Sequence, residues 1–181
     1  RESRPDLPCS VEVEKPRPGI EAVFADVGML IFSRVYANHL GFDTPRPFLF
    51  KIREQVPQAG LILTWGKEGA YGLDHRGEIH HSPAFSPVEV KDTLGAGDTF
   101  NAGLIDAYLR GFGLAKALSH ACRLAGKKCG QLGLEGRQLV GVVDDAEEAV
   151  VAPERVLRLE LAAVLADDVE SSHLLGQLLL V

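Results

Sequence analysis

Apolar and polar positions alternate in "SVEVE", residues 10–14, which predicts a strand, and the breaker cluster "KPRPG" stops it. A short helix is expected over "IEAVFADV". The compact apolar run "MLIF" then suits a strand buried on both faces. "RVYANHLG" reads as a helix stopped at Gly41, and in "PFLFKIREQVPQAG" Phe48, Ile52 and Val56 recur at helical spacing. "LILTW" predicts a second buried strand. From Gly66 the period changes, and "GKEGAYGLDHRGEIHH" offers two short strands about a turn at Arg76 and Gly77, a hairpin. After "FSPVEV", the spacing predicts a helix that buries Phe100, Leu104 and Tyr108 and ends at Gly111. A second helix would bury Leu114, Ala117, Leu118, Ala121 and Ala125, with Lys127 and Lys128 in its last turn and Gly130 just beyond.

Strands that alternate with helices, followed by a hairpin and two helices, predict an α/β layer fold on a mostly parallel sheet. About three core strands are expected, fewer than parallel sheets usually carry. From Leu139 the character changes. "DDAEEAVVAPERVLRLELAAVLADD" is acidic, with a helix expected after Pro153, and "SSHLLGQLLLV" ends in leucines, so residues 139–181 read as an appended extension with no site chemistry. The division expected is therefore 1–138 and 139–181.

Composition narrows the classes. With 181 residues, 46% hydrophobic and 24% charged, the chain falls in the ordinary globular range and suffices for one core. A net charge of -6 argues against a dedicated nucleic-acid binder, so any bound anion must be held locally. Cys9, Cys122 and Cys129 show no metal-ligand spacing, and their odd number argues against a disulfide framework; reduced cytosol fits best. Cys122 and Cys129 would share a helix face about 10 Å apart, beyond disulfide reach. No stretch supplies the ~20 apolar residues of a membrane span. The opening "RESRPDLPCS" lacks an apolar signal region and an initiator Met, which suggests a chain that begins inside a larger domain.

The chemistry concentrates in "DTLGAGDTFNAG", residues 92–103. Gly95 and Gly97 let the backbone bend and let an anion approach it, and the helix that begins there offers unpaired N–H groups at the positive end of its dipole. Together these make an anion hole. Asp98 stands in that first turn. It either caps the helix or serves as a base beside the held anion. "GKEG", directly after a buried strand, sits where ligands usually bind an α/β sheet, although its glycines equally suit a hairpin approach.

The whole string "DTLGAGDTFNAG" resembles the second signature of the PfkB, or ribokinase-like, family of sugar and nucleoside kinases. Similarity to fructose-phosphorylating members extends through "SVEVEKPR", "HLGF" and "AGKKCG" and covers residues 10 to about 136. The resemblance implies the C-terminal, nucleotide-binding half of a three-layer α/β/α fold, without the N-terminal half and its β lid. It implies Asp98 as catalytic base and sugar contact, Gly95, Ala96 and Gly97 as the anion hole, and Gly66, Lys67, Glu68 and Gly69 as further ATP contacts. The implied reaction moves the γ-phosphoryl of Mg-ATP to the C1 hydroxyl of fructose, with ribose or adenosine as other acceptors within the family. Mg²⁺ would be held mainly through ATP, because Ser33 and Tyr36 stand where many relatives carry a metal-organising Asn-x-x-Glu. Asp92 and Thr93 fall where some relatives order a K⁺ loop, and a turn-forming Asp-Thr pair explains them equally. Members dimerise through the lid. The rival expectation is a non-catalytic chain that binds nucleotide weakly or associates with a complete subunit. Elsewhere, His80 and His81 should point to opposite faces of a strand, Trp65 suits either core or adenine, and Arg34 suits solvent better than phosphate.

Overall fold

A computed structural model of the chain describes residues 9–133. The acidic extension, the helix expected after Pro153 and the 138/139 division lie outside the described residues. Within them five strands form one sheet in the order β1 (Ser10–Val13), β2 (Met29–Ser33), β3 (Gly60–Thr64), β4 (Ala70–Leu73) and β5 (Ile79–Ser82). β1, β2 and β3 are parallel, with Val11 opposite Leu30 and Leu30 opposite Leu61; β4 runs antiparallel to β3, and β5 antiparallel to β4. Four of the five strands thus share one direction. The hairpin that the sequence predicts is not an excursion from the sheet but its continuation, which is why five strands stand where about three core strands were expected.

Two cores flank this sheet. On one face Val11, Val13, Leu30, Phe32, Leu61 and Leu63 pack against Tyr36 and Ala37 of α1 (Arg34–His39) and Phe48, Leu49 and Ile52 of α2 (Pro45–Gln55). On the other, Ile31, Ile62 and Ala70 meet Phe100 and Leu104 of α3 (Ala96–Leu109) and Ala117, Leu118 and Ala121 of α4 (Leu114–Cys129). Successive strand residues therefore enter opposite cores. This explains the continuous apolar runs of β2 and β3, each fully buried side chain contributing about 1.5–3 kcal/mol. "IEAVFADV" forms a 3-10 turn, Ile20–Asp26, and Phe24 from it meets Phe32 edge-on at 5.5 Å. Arg53 of α2 locks that helix to the sheet by donating to the carbonyls of Ala59 at 2.6 Å and Leu73 at 3.0 Å.

Three expectations about burial change. Tyr108 is 56% exposed, and Ala107, fully buried, takes the core position. From Phe100, seven residues turn the helix back to about the same direction, whereas eight carry it about 80° beyond the core stripe. Leu114 is half-buried and covers Gly72, where an added Cβ would meet its Cδ1 at 3.0 Å. Ala125 is half-buried at the edge of the second core. α3 and α4 approach closely at Gly103, where a Cβ would meet Leu124 Cδ1 at 2.7 Å. The segment from Pro83 crosses α4 at Gly126, where a Cβ would collide with the Phe85 carbonyl and lie 2.7 Å from its Cδ1.

Candidate functional site

The carboxyl edge of the parallel strands collects the end of β1, the turn after β3 and the start of α3. Gly95 caps α3 at φ 73°, a left-handed conformation that suits glycine. Thr99 folds back onto it, with N–H and Oγ1 donating to the Gly95 carbonyl at 2.9 and 2.8 Å. Ala96 N–H donates to the Thr93 carbonyl at 3.2 Å. Of the three residues expected to form the anion hole, Ala96 is thus partly engaged by the turn itself. The N–H groups of Gly95, Gly97 and Asp98 meet no carbonyl acceptor among the described residues. A Cβ added to Gly97 would find nothing within 4 Å, so the approach to these donors is open. Amides without an acceptor at an open helix N-terminus suit a phosphate or another anion.

Asp98 is exposed in the first turn of α3, and among the described residues its carboxylate accepts no hydrogen bond from the backbone it could have capped. In the loop that leads into α3, the carboxylate that does bind backbone is Asp92. Its Oδ1 accepts from Leu94 N–H at 2.9 Å and its Oδ2 from Gly133 N–H at 3.0 Å. These bonds hold its carboxyl below the usual carboxylate range against a smaller effect of burial, with Lys128 adding to the depression. Asp92 is therefore the architectural acid of the loop, and the turn-forming reading describes it.

Glu12 escaped the sequence reading. Burial pushes its carboxyl up, a hydrogen bond with Asn101 opposes this, and the neighbouring charges of Asp98 and Glu14 raise it further. Asn101, one turn along α3 from Asp98, is buried. The signal was present in the alternation of "SVEVE": with Val11 and Val13 in the first core, Glu12 must face the layer that holds α3.

"GKEG" forms a 3-10 turn over Gly66–Glu68, with Lys67 and Glu68 exposed. Gly66 has φ 61°. Gly69 is required twice over, by its φ of 100° and by packing, since a Cβ there would strike the Ser82 carbonyl and approach Ala84 N at 2.6 Å. Trp65 is buried, and the exposed Arg34 lies over its ring at 5.0 Å. His80 and His81 do take opposite faces: His80 Nε2 lies 3.2 Å from Asp74 Oδ2, and His81 stacks on Tyr71 at 4.3 Å. Ser33 caps α1, its Oγ accepting from Tyr36 N–H at 3.1 Å. Cys9, Cys122 and Cys129 are all free thiols.

Residues 48–137 match the family model "pfkB family carbohydrate kinase", and the chain is 42% identical to ketohexokinase of Mus musculus over 128 residues. Residues 48–137 belong to a pfkB-family carbohydrate kinase domain, present here in part. The mouse alignment covers 70% of this chain and 43% of ketohexokinase. Fructosamine kinase FrlD of Bacillus subtilis is 36% identical over 76 residues, covering 42% of this chain and 26% of that protein. A structure of Arabidopsis thaliana ribokinase complexed with ribose and ATP superposes with a TM-score of 0.59 at 18% identity, over 70% of this chain and 42% of the ribokinase. That likeness shows a ribokinase-like fold. The chain spans less than half the length of these pfkB relatives. Among its described residues no helix is long and apolar enough to cross a membrane.

Proposed function

We propose that this pfkB chain takes part in ATP-dependent phosphorylation of a ketose, moving the γ-phosphoryl of ATP to the C1 hydroxyl of fructose. The observation that carries the reading is the Asp98 carboxylate, without a hydrogen-bond partner among the described residues, beside N–H groups at the head of α3 that likewise meet no acceptor among them. The substrate hydroxyl would give its proton to Asp98 as its oxygen bonds to the γ-phosphorus. The bond from that phosphorus to the bridging oxygen breaks, and ADP leaves with the bond's electron pair. The amides of Gly95, Gly97 and Asp98 would meet the charge spread over the transferring group. Their positions are set before any ligand arrives, because Thr99 and Thr93 fix the turn.

Ala96 contributes its place in that turn more than a free donor. Gly66, Lys67, Glu68 and Gly69 line the adenosine side in this reading, supported by the position of their turn at the end of β3. Mg²⁺, which supplies charge neutralisation on the phosphates when bound, would be held through them and water. Fructose is favoured over ribose or adenosine by the 42% identity to ketohexokinase.

The test is release of ADP by the full-length protein in the presence of Mg-ATP and, in turn, fructose, ribose and adenosine. Release with fructose, and formation of fructose 1-phosphate, is the expected result. Release with another acceptor would replace the substrate and keep the chemistry. Nucleotide binding without release on any acceptor would instead support a non-catalytic chain.

A further inference from the structure

Lys128 belongs to the last turn of α4 and is 3% exposed, and its Nζ has no hydrogen-bond partner among the described residues. An ammonium buried without partners is costly, and such groups persist where a charge or a function holds them. The loop that leads into Gly95 lies against this turn of α4, since Lys91 and Asp92 donate to the carbonyl of the neighbouring Cys129, and the charge of Lys128 is one of those that depress the Asp92 carboxyl. α3 and α4 form an antiparallel pair with Gly103 against Ala121 and Leu124. Four residues beyond Leu124, and four before Gly103, the same face brings Lys128 level with the first turn of α3.

Backbone bonds tie the two places together. The carbonyl of Cys129, next to Lys128, accepts from Lys91 N–H at 2.8 Å and Asp92 N–H at 3.2 Å. Asp92 in turn holds Leu94 N–H, and Thr93 holds Ala96 N–H. A buried cation, a loop bonded to its helix and a set of unpaired amides thus follow one another within a few residues.

We propose that Lys128 is a positioning residue of the anion hole: a fixed internal cation that holds the Asp92–Gly95 loop from beneath and raises the positive potential where the terminal phosphates dock. It touches neither substrate nor reacting atoms. The inference rests on the assignment of the Gly95–Asp98 amides to phosphate. In low-dielectric surroundings a buried charge acts on a bound anion with little screening by salt. The ligand class it favours is accordingly a nucleoside di- or triphosphate over the nucleoside itself.

The experiment compares Lys128→Met and Lys128→Arg with the unaltered full-length protein, measuring affinity for ADP and for adenosine by calorimetry together with thermal unfolding. Lys128→Met should weaken ADP by about tenfold, the scale of one charge acting across about 12 Å at an effective dielectric of about 20, and leave adenosine within about twofold. Lys128→Arg should retain most of the ADP affinity. Lys128→Ala should be rescued for ADP by methylammonium, which a purely architectural role would not produce. Equal weakening of both ligands, or no weakening of either with no rescue, would overturn the proposal. Failure of the unaltered protein to bind ADP at all would instead remove the anion-hole assignment beneath it.

Discussion

Gly97→Ala separates what α3 needs for stability from what the proposed anion hole would need for function. Gly97 is the second residue of the helix, its φ is not positive, and an added Cβ meets nothing within 4 Å. Alanine therefore fits without strain and restricts the unfolded chain, which should stabilise the fold by about 0.4–1 kcal/mol. For a protein of this size that raises the Tm by about 1–4 °C. The same methyl group occupies the open face through which a phosphate would reach the Gly97 and Asp98 amides. Displacing a reacting group by about 1 Å can cost 10²-fold in rate, so turnover should fall by roughly that factor as stability rises. Circular dichroism melts on the variant, paired with steady-state ADP release and ADP affinity, read both quantities. A lowered Tm would show that the turn requires glycine here for its own sake. Unchanged turnover and ADP affinity would show that the face is not used, and either result refutes the reasoning.

Gly126→Ala has the opposite balance: a helix-propensity gain of about 1 kcal/mol is opposed by collision with the Phe85 backbone, which overpacks a closed contact at a typical cost of about 1–3 kcal/mol. A denaturant midpoint lower than that of the unaltered protein is expected, and a higher one would contradict the packing. Glu12 binds its proton more tightly folded than unfolded, so that contribution to stability is present below about pH 4.5 and is lost as pH rises through its raised folded value. Glu12→Gln should accordingly stabilise the protein at pH 7 and change little at pH 4 in urea titrations. Destabilisation at pH 7 would show that the ionised Glu12 and Asn101 are worth more to the fold than the carboxylate's burial and repulsion cost.

Much of the fold is legible because local pattern and tertiary role agree. "MLIF" and "LILT" are apolar throughout, and both strands do divide their side chains between two cores. Gly41 and Gly111 end their helices at φ 82° and 76°, and Asp74 closes the hairpin by accepting from Arg76 and Glu78 N–H. Tyr108 was misplaced because a spacing of four from Leu104 fits a helical stripe in sequence, while the stripe in space bends back to Ala107. The candidate site is legible in the sequence only where its residues are neighbours in the chain. The glycine turn and Asp98 lie within one short string, so their relation could be read directly. Glu12 comes to Asp98 and Asn101 from β1, and Lys128 stands on the helix end that binds the Asp92 loop; both placements depend on strand order and helix pairing that no short string records. Even within the string, sequence alone could not decide which acid served the backbone. The hydrogen bonds of Asp92, and their absence at Asp98 among the described residues, make that division.

The central claim is that the Asp98 carboxylate is free to take a proton, and Asp98→Asn tests it with the least change of shape. Stopped assays of fructose 1-phosphate formation on the full-length protein, with ADP affinity measured on the same preparation, separate chemistry from binding. The account predicts a fall in kcat of about 10²–10⁴-fold, the usual contribution of a general base, with ADP affinity within a few-fold of the unaltered protein. Turnover that survives the substitution would show that another group takes the proton, and the reading of this site would be wrong.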